Sequence, residues 1–234
     1  MKCVAIALLV GLVGAACSTS VDETTSASAA VQPSTTIAIG DEMVTTSSIE
    51  MAPSELAALP LAATPSQAEG PYYPVERLAD QDHDLTAVDG LAAVPAGNIL
   101  IVNGTLLTSE GAPVAGGVVE IWQTDANGIY LHQDDPGVAD RDPFFQGSGA
   151  ATAAEDGSWS FRTIDPGYYE PRPRHIHVKV HVDGRPVLTT QIYFSDDPQA
   201  AGIDELLVAT IRPGTDEDGA ALLVADFRIV LPAA

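Results

Sequence analysis

The chain has 234 residues, of which 46% are hydrophobic, 18% charged and 6% aromatic, which is enough for one domain with an appendage. Its 10 lysine and arginine residues stand against 32 aspartate and glutamate residues, for a formal net charge of −22. A field of this sign repels phosphate backbones and anionic lipid headgroups, so the composition argues against a nucleic-acid-binding protein.

The first segment has the layout of a secretory signal peptide. Lys2 is followed by an apolar run from Val4 to Val13 and then by small residues, which is the order of regions that such peptides share. The apolar run is too short to span a bilayer, since a membrane-spanning helix takes about 20 apolar residues. Residues 1–16 are therefore predicted to be a signal peptide, and the protein is predicted to be exported.

Both cysteines of the chain, Cys3 and Cys17, lie in this region, so no disulfide can cross-link the body of the protein. The sequence Gly-Ala-Ala-Cys that ends at Cys17 resembles the lipobox at which bacterial lipoproteins are cleaved and lipidated, although Gly14 stands where that motif usually has leucine. We expect lipidation of Cys17 and a cell-envelope lipoprotein, which would touch a membrane only through this anchor. The alternative is plain cleavage after Ala16 and a secreted protein.

Residues 17–63 have the composition of a tether. They are rich in serine, threonine, alanine and valine and contain no aromatic residue. Such a segment buries too little apolar surface to offset the entropy of ordering its backbone, so we predict a solvated, low-complexity linker. A short local strand or helix is the alternative, although Pro53 and Pro60 interrupt the part that could form one.

Residues 64–234 are predicted to form one all-β domain. Runs rich in β-branched residues alternate with turn sequences, and no stretch has a sustained helical period. Many short strands at regular spacing imply an antiparallel β-sandwich or barrel. The predicted strands are residues 98–108, 114–124, 157–164, 175–182, 187–194, 206–212 and 221–231.

The strand at residues 175–182, HIHVKVHV, carries three of the five histidines of the chain. Period-two alternation sends its aliphatic side chains into the core and sends His175, His177, Lys179 and His181 to the opposite face. The first two histidines are then roughly 7 Å apart along the strand and can converge on one metal ion. A solvated strand face is the alternative. A zinc–thiolate site is excluded because the domain has no cysteine.

Tyrosines supply the nearest oxygen donors. Tyr168 and Tyr169 shortly precede His175, and Tyr130 follows a predicted strand. A phenol with a pKa near 10 is a poor ligand until a highly charged cation deprotonates it, and Fe(III) can do so. Tyrosines on strands more commonly pack, so it is their combination with the histidine pair that favours a ferric site.

Four ordered segments resemble signatures of the intradiol ring-cleavage dioxygenases, which include the protocatechuate 3,4-dioxygenase and catechol 1,2-dioxygenase types. The resemblance runs from about Thr64 to Pro198. The segments are TPSQAEGPYYP from Thr64, EIWQTDANGIYLH from Glu120, PGYYEPRPRHIHVKV from Pro166 and LTTQIYF from Leu188.

This resemblance implies a non-haem Fe(III) enzyme with an antiparallel β-sandwich of the intradiol type. The implied ligands are Tyr130, Tyr169, His175 and His177. The implied reaction opens a catecholic ring with O2 to a cis,cis-muconate-type dicarboxylate. The same matching implies further roles. Tyr169 would also act as a base after substrate displaces it, Arg172 and Gln191 would lie beside the substrate, and Tyr72 or Tyr73 would border the pocket.

The chain departs from the family pattern in two places. Glu170-Pro171 follows Tyr169 where many short members have Pro-Gly, and the polar tether replaces the helical N-terminal domain of catechol 1,2-dioxygenases, so no oligomeric state is predicted. The second departure favours a secreted or lipoprotein branch. Arg77, Arg141 and Arg174 are the candidates for binding a carboxylate on the substrate. A surface-displayed, transthyretin-like β-sandwich binding module without catalysis is the alternative function.

Overall fold

The computed structural model of the chain describes residues 60–75 and 78–232. The predicted signal peptide, Cys17 and all but the end of the predicted tether lie outside the described residues. In the described part, the chain already bonds to the rest of the domain at Leu61, whose N–H donates to the carbonyl of Ser109 over 2.7 Å. That part contains no helix long and apolar enough to cross a membrane.

The described residues form eight strands and three single-turn 3₁₀ helices, so the all-β prediction is confirmed. Seven of the strands overlap predicted ones. The eighth, β3, has the sequence SGAAT, whose small residues lack the β-branched signal on which a strand prediction depends. The strands are β1 (Ile99–Thr108), β2 (Val118–Trp122), β3 (Ser148–Thr152), β4 (Ser158–Ile164), β5 (His175–Val182), β6 (Arg185–Phe194), β7 (Val208–Thr215) and β8 (Ala221–Leu231).

All eight strands belong to one sheet in the order β3-β2-β5-β6-β7-β8-β1-β4. Most neighbours are antiparallel, but β1 with β8 and β6 with β7 are parallel. The β6–β7 connection consists of only two residue pairs, Tyr193 with Val208 and Phe194 with Ala209. The hydrogen bonding thus does not confirm the predicted antiparallel sandwich. The nearly closed sheet is closer to the barrel that the strand pattern left open.

Residues 81–85, which we call the bridging segment, connect the two edge strands of this sheet, β3 and β4. On one side, the N–H of Ala150 in β3 donates to the carbonyl of Gln81 over 3.0 Å. On the other side, the N–H of Arg162 in β4 donates to the carbonyl of His83 over 2.9 Å, and the N–H of Leu85 donates back to Arg162 over 2.8 Å. Backbone groups of both edges are therefore paired within the domain, which protects edges that would otherwise invite aggregation.

The barrel interior is filled by aliphatic and aromatic side chains. On β5, the even positions Ile176, Val178 and Val180 are fully buried, as the alternation predicts. Leu85 of the bridging segment is also fully buried and joins the same core. The bridging segment therefore contributes apolar packing as well as hydrogen bonds.

Replacing Leu85 by alanine is expected to destabilise the domain by about 2–5 kcal/mol, because it empties a closed site between the two sheet edges. The matched control is Leu91→Ala, since Leu91 is 46% exposed and should change stability by no more than about 0.5 kcal/mol. Urea unfolding followed by tryptophan fluorescence measures both. Equal effects of the two substitutions would show that residues 81–85 do not close the barrel.

Candidate functional site

Three side chains predicted as metal ligands meet at one point beneath the surface. The Nε2 atoms of His175 and His177 are 3.1 Å apart, and each lies 3.1 Å from the hydroxyl of Tyr130. The three residues are only 4%, 4% and 3% exposed, respectively. Such burial does not fit a solvated strand face.

Two further tyrosines extend this cluster towards the surface. The Tyr72 hydroxyl is 3.2 Å from that of Tyr169, and the ring centres of Tyr72 and Tyr169 lie 4.9 and 5.7 Å from that of Tyr130. Tyr169 lies in the site even though the following Glu170-Pro171 peptide bond is cis. The structure therefore brings all four predicted ligands into one neighbourhood.

The structure also separates each of these tyrosines from its sequence neighbour. Tyr73 turns away from Tyr72 and donates a hydrogen bond to the carboxylate of Glu120 over 3.2 Å. Tyr168 turns away from Tyr169 and donates to Asp197 over 3.1 Å. Of the two tyrosines predicted to border the pocket, Tyr72 is thus the one within hydrogen-bonding distance of a predicted ligand.

A close crossing of two loops places Tyr130 beside Tyr169. The N–H of Gly167 donates to the carbonyl of Asp125 over 2.9 Å. At the crossing, Gly128 has a φ of +83°, and a Cβ there would lie 2.1 Å from the carbonyl oxygen of Tyr168. Only glycine permits both the backbone angle and the approach. The glycine of the Gly-x-Tyr motif is therefore a requirement of geometry.

Arg172 and Gln191 lie together beside the cluster. The Nη2 group of Arg172 donates to the side-chain carbonyl of Gln191 over 2.9 Å, and the amide nitrogen of Gln191 donates to the carbonyl of Ala68 over 2.7 Å. Gln191 is fully buried. It therefore fixes both the guanidinium and the segment that leads to Tyr72.

Two residues that contact the site, Tyr193 and Trp122, are not identified as site residues by the sequence motifs. Tyr193 donates to Gln191 over 2.6 Å and accepts from Arg172 over 3.3 Å. The ring of Trp122 stacks on that of His177 at 4.7 Å with an interplanar angle of 6°. Period-two alternation in LTTQIYF puts Tyr193 on the same face as Gln191, so that signal was present. The stacking of Trp122 depends on the β2–β5 pairing, which the sequence does not reveal.

Arg174 is not available to bind a carboxylate on a substrate, although the sequence makes it a candidate for that contact. Its guanidinium contacts Asp165 at 2.5 Å and Asp196 at 2.7 Å, and its backbone N–H donates to Asp197 over 2.7 Å. With 8% of its surface exposed, it ties the loop before β5 to the turn after β6. Its role is to hold the start of β5, where His175 lies.

Burial favours the uncharged forms of His175, His177 and Tyr130. It lowers the pKa of His175 to about 4 and, with help from the neighbouring His175 and Arg172, the pKa of His177 to about 2. Burial also raises the pKa of Tyr130, while the positive charge of Arg172 opposes that rise. Both imidazoles are thus neutral at physiological pH and retain a lone pair for a ligand.

The geometry and chemistry of these groups fit a metal ion. Two metal–ligand bonds of about 2.1 Å at right angles would place their ligand atoms roughly 3.0 Å apart. The two Nε2 atoms and the Tyr130 hydroxyl are 3.1 Å from one another. His175 Nδ1 lies 2.7 Å from the carbonyl of Pro173 and must donate to it, which leaves Nε2 with the lone pair. The described residues contain no cluster of three His, Cys, Asp or Glu side chains that could hold a metal, so a metal ion bound by these two histidines would need tyrosine oxygens as further ligands.

An all-β barrel with buried histidines and phenols that converge on the face of β5 opposite the core has the makeup of an oxygen- and nitrogen-ligated metalloprotein. Comparison with known proteins narrows this class. A family model described as "Dioxygenase" matches residues 68–225. The protocatechuate 3,4-dioxygenase beta chain of Burkholderia cepacia is 37% identical over 181 residues, which is 69% of this chain and 76% of that one.

Other comparisons agree. Catechol 1,2-dioxygenase 1 of Acinetobacter lwoffii is 33% identical over 183 residues, or 68% of this chain, although this chain spans only 56% of it. The dioxygenase domain of a dioxygenase carbohydrate-binding protein fusion from Streptomyces sp. SirexAA-E superposes with a TM-score of 0.59 at 32% identity, over 74% of this chain and 100% of that one. The chain belongs to the intradiol ring-cleavage dioxygenases, a family of oxidoreductases.

Replacing Gly128 by alanine tests the loop crossing. The substitution should destabilise the domain by about 2 kcal/mol more than Gly184→Ala, because it adds a steric clash to the cost of a positive φ. Gly184 is a matched control, since its φ is +72° but a Cβ added there would meet nothing within 4 Å. Chemical unfolding of both variants measures the difference. Costs that agree within about 0.5 kcal/mol would refute the crossing as the constraint on Tyr130.

Proposed function

We propose that this protein is a non-haem Fe(III)-dependent intradiol dioxygenase that cleaves catecholic rings with O2 between the two hydroxyl-bearing carbons, yielding cis,cis-muconate-type dicarboxylates. The observation that carries the proposal is the buried triangle of Tyr130, His175 and His177, with Tyr169 next to it. Membership of the family supports it. The alternative of a binding module requires no such donor cluster, and no feature of the site favours it.

Tyr130, Tyr169, His175 and His177 would hold the iron. Two anionic phenolates and two neutral imidazoles suit a hard trivalent cation, and phenolates in turn favour the ferric over the ferrous state. When bound, Fe(III) supplies Lewis-acid activation of the catechol and a template that orients it.

Tyr169 is the residue best suited to take a proton from an incoming phenol. It is only half-buried, and its hydroxyl contacts that of Tyr72. The hydrogen bond with Tyr169, together with burial, raises the pKa of Tyr72 to about 12, so Tyr72 keeps its proton. It can therefore donate that proton in a hydrogen bond whenever the oxygen of Tyr169 is negatively charged.

Arg172 would stabilise negative charge that develops on the substrate ring. Its guanidinium is permanently cationic, and Gln191 and Tyr193 hold it in place before substrate arrives. A preorganised charge of this kind needs no reorganisation at the moment of reaction, which is why it lowers a barrier more effectively than a mobile one.

The substrate is proposed to be a small catecholic molecule. Relatives of the chain are named for protocatechuate, catechol, chlorocatechol and hydroxyquinol. Because the aspartates around Arg174 occupy its guanidinium, this residue offers no site for a carboxylate on the ring. A panel of catechols in an oxygen-uptake assay would rank the candidates.

Iron binding and its spectroscopic signature test the proposal. Reconstitution with Fe(III) should yield one iron per chain and a visible tyrosinate-to-iron charge-transfer band that shifts when catechol is added without oxygen. Tyr130→Phe and His177→Ala should lower iron content more than about 10-fold, because loss of a direct ligand should cost at least as much as loss of its supporting contacts. Both should abolish oxygen uptake. Metal analysis, absorption spectra and an oxygen electrode provide the measurements.

The control is His83→Ala, because the His83 side chain is exposed on the bridging segment. This substitution should change neither the iron content nor the activity. A wild-type protein that stays colourless and metal-free after ferric reconstitution would refute the ferric dioxygenase.

For the N-terminal region we propose a signal peptide at residues 1–16, a tether at residues 17–63 and a catalytic domain at residues 64–234. The protein would be exported and anchored through a lipid on Cys17. The support is the order of basic, apolar and small residues before Cys17 and the low-complexity composition after it.

Substitution of Cys17 tests this anchor. In a bacterial host given radiolabelled palmitate, the wild-type protein should be labelled and should sediment with membranes, whereas Cys17→Ser should be unlabelled because the acylated thiol is absent. Labelling and fractionation are followed by autoradiography and immunoblotting. An unlabelled wild-type protein that is released after cleavage at Ala16 would instead establish the secreted form.

A further inference from the structure

The chain that precedes Tyr72 is fastened along β6. The N–H of Gln67 donates to the carbonyl of Thr189 over 2.9 Å, and the Thr190 hydroxyl donates to the carbonyl of Pro65 over 2.7 Å. Together with the bond from Gln191 to Ala68, these contacts hold the backbone up to residue 68. The next five residues, 69–73, leave β6 and pass over the candidate site, and we call them the covering segment.

The covering segment touches the proposed ligands directly. A Cβ on Gly70 would lie 3.2 Å from Cε1 of His177, and Tyr72 contacts Tyr169 through their hydroxyls. Among the described residues, no backbone–backbone hydrogen bond attaches residues 69–72 to the rest of the domain. Side chains must therefore hold this segment in place.

Lys179 of β5 supplies two of those side-chain contacts. Its ammonium group forms an ion pair with Glu69 at the start of the segment. It also lies 3.5 Å from the ring centre of Tyr73 at the other end, within cation–π range. The Lys179 side chain is only 12% exposed and that of Glu69 is 44% exposed, so water screens the ion pair from the Glu69 side.

The far end of the same contact chain lies on β2. The hydroxyl of Tyr73 donates to Glu120, and Glu120 is the cross-strand partner of Lys179. The carboxylate of Glu120 is buried and also lies 3.2 Å from Nε2 of His181, so His181 is half-buried against it. Lys179, Glu120 and His181 thus form a polar cluster on the sheet face that carries the proposed metal ligands.

From this arrangement we propose that Lys179 is a positioning residue that clamps the covering segment over the site, so that Tyr72 is held against Tyr169 before substrate binds. The consequence for catalysis rests on the proposed function. Lys179 lies two residues after His177 on one strand, and both side chains leave the same face of the sheet. One rigid element therefore sets the distance between a proposed ligand and the segment that covers it.

The clamp should affect substrate binding more than the chemical step. If the segment detaches, only the fraction of molecules in which it covers the site can bind catechol productively, and the apparent affinity falls by that fraction. A molecule that has bound in the covered state is unchanged, so its turnover is preserved. A lysine that merely stabilised the sheet would alter the unfolding midpoint and would not produce this separation.

Lys179→Met in the full-length, iron-loaded protein tests the clamp, since methionine keeps much of the apolar stem without the charge. We expect the KM for catechol to rise about 10-fold while kcat stays within about twofold. In a Tyr72→Phe background the same substitution should raise KM by less than about twofold, because the two residues act through one segment. Hydrogen–deuterium exchange should accelerate in residues 69–73 and stay constant in the strands.

Three further variants complete the test. Lys179→Arg should restore most of the KM, since arginine also pairs with carboxylates and aromatic faces. Glu69→Gln should reproduce part of the KM increase from the half-exposed side of the ion pair, and it takes the place of Lys179→Met if that protein does not fold. Arg185→Met removes a positive charge from an exposed position of the β5–β6 hairpin and should leave KM unchanged.

An unchanged KM in both Lys179→Met and Glu69→Gln, a KM increase of full size in the Tyr72→Phe background, or faster exchange throughout the barrel would each overturn the clamp. Hydrogen–deuterium exchange on the purified full-length chain reports on the clamp whether or not any catechol is consumed. Failure of every catechol to be cleaved by the wild-type protein would refute the proposed function and would leave the exchange result to decide the clamp.

Discussion

Strand β5 is buried on both of its faces, and the arrangement of the site follows from this constraint. Its even-numbered aliphatic side chains fill the barrel, while the odd-numbered His175 and His177 are enclosed on the other side. Polar groups in such a place must be paired or bound, because leaving them unsatisfied is costly. The two Nε2 atoms and the hydroxyl of Tyr130 pair with one another, whereas the buried Nδ1 of His177 has no hydrogen-bond partner among the described residues. The same convergence of donor atoms is what a metal ion requires.

Much of the remaining structure serves to bring other segments to that strand. The glycine crossing at residues 128 and 167 brings the loop of Tyr130 against the loop of Tyr169. Arg174 and three aspartates hold the start of β5. The bridging segment at residues 81–85 closes the sheet, so that the core behind β5 is complete. The positive charges have distinct tasks in this acidic chain: Arg174 is structural, Arg172 faces the cluster, and Lys179 contacts the covering segment.

The face of β5 opposite the core carries the groups that the proposed reaction would use. Burial favours the neutral forms of His175, His177 and Tyr130, and a highly charged cation would be needed to deprotonate the phenol. Tyr72 of the covering segment contacts Tyr169, and Lys179 connects the covering segment to β5. In the proposed function, residues 69–73 would therefore couple the binding of a catechol to the positioning of the donors.

Seven of the eight strands and the two faces of β5 could be predicted from the sequence, because alternation is a local property. The resemblance of the tyrosine and histidine motifs to a known family also singled out side chains that the structure brings together. The sequence pattern missed β3, whose small residues carry no strand signal, and it left open sandwich or barrel. The contact of Tyr72 rather than Tyr73 with Tyr169, the pairing of Arg174 with aspartates and the contacts of Trp122 and Lys179 became visible in the tertiary structure alone. Those outcomes depend on contacts between distant segments, such as Tyr72 and Tyr169, which are 97 residues apart. Strand pairing and loop crossings set such contacts, and no local pattern encodes them.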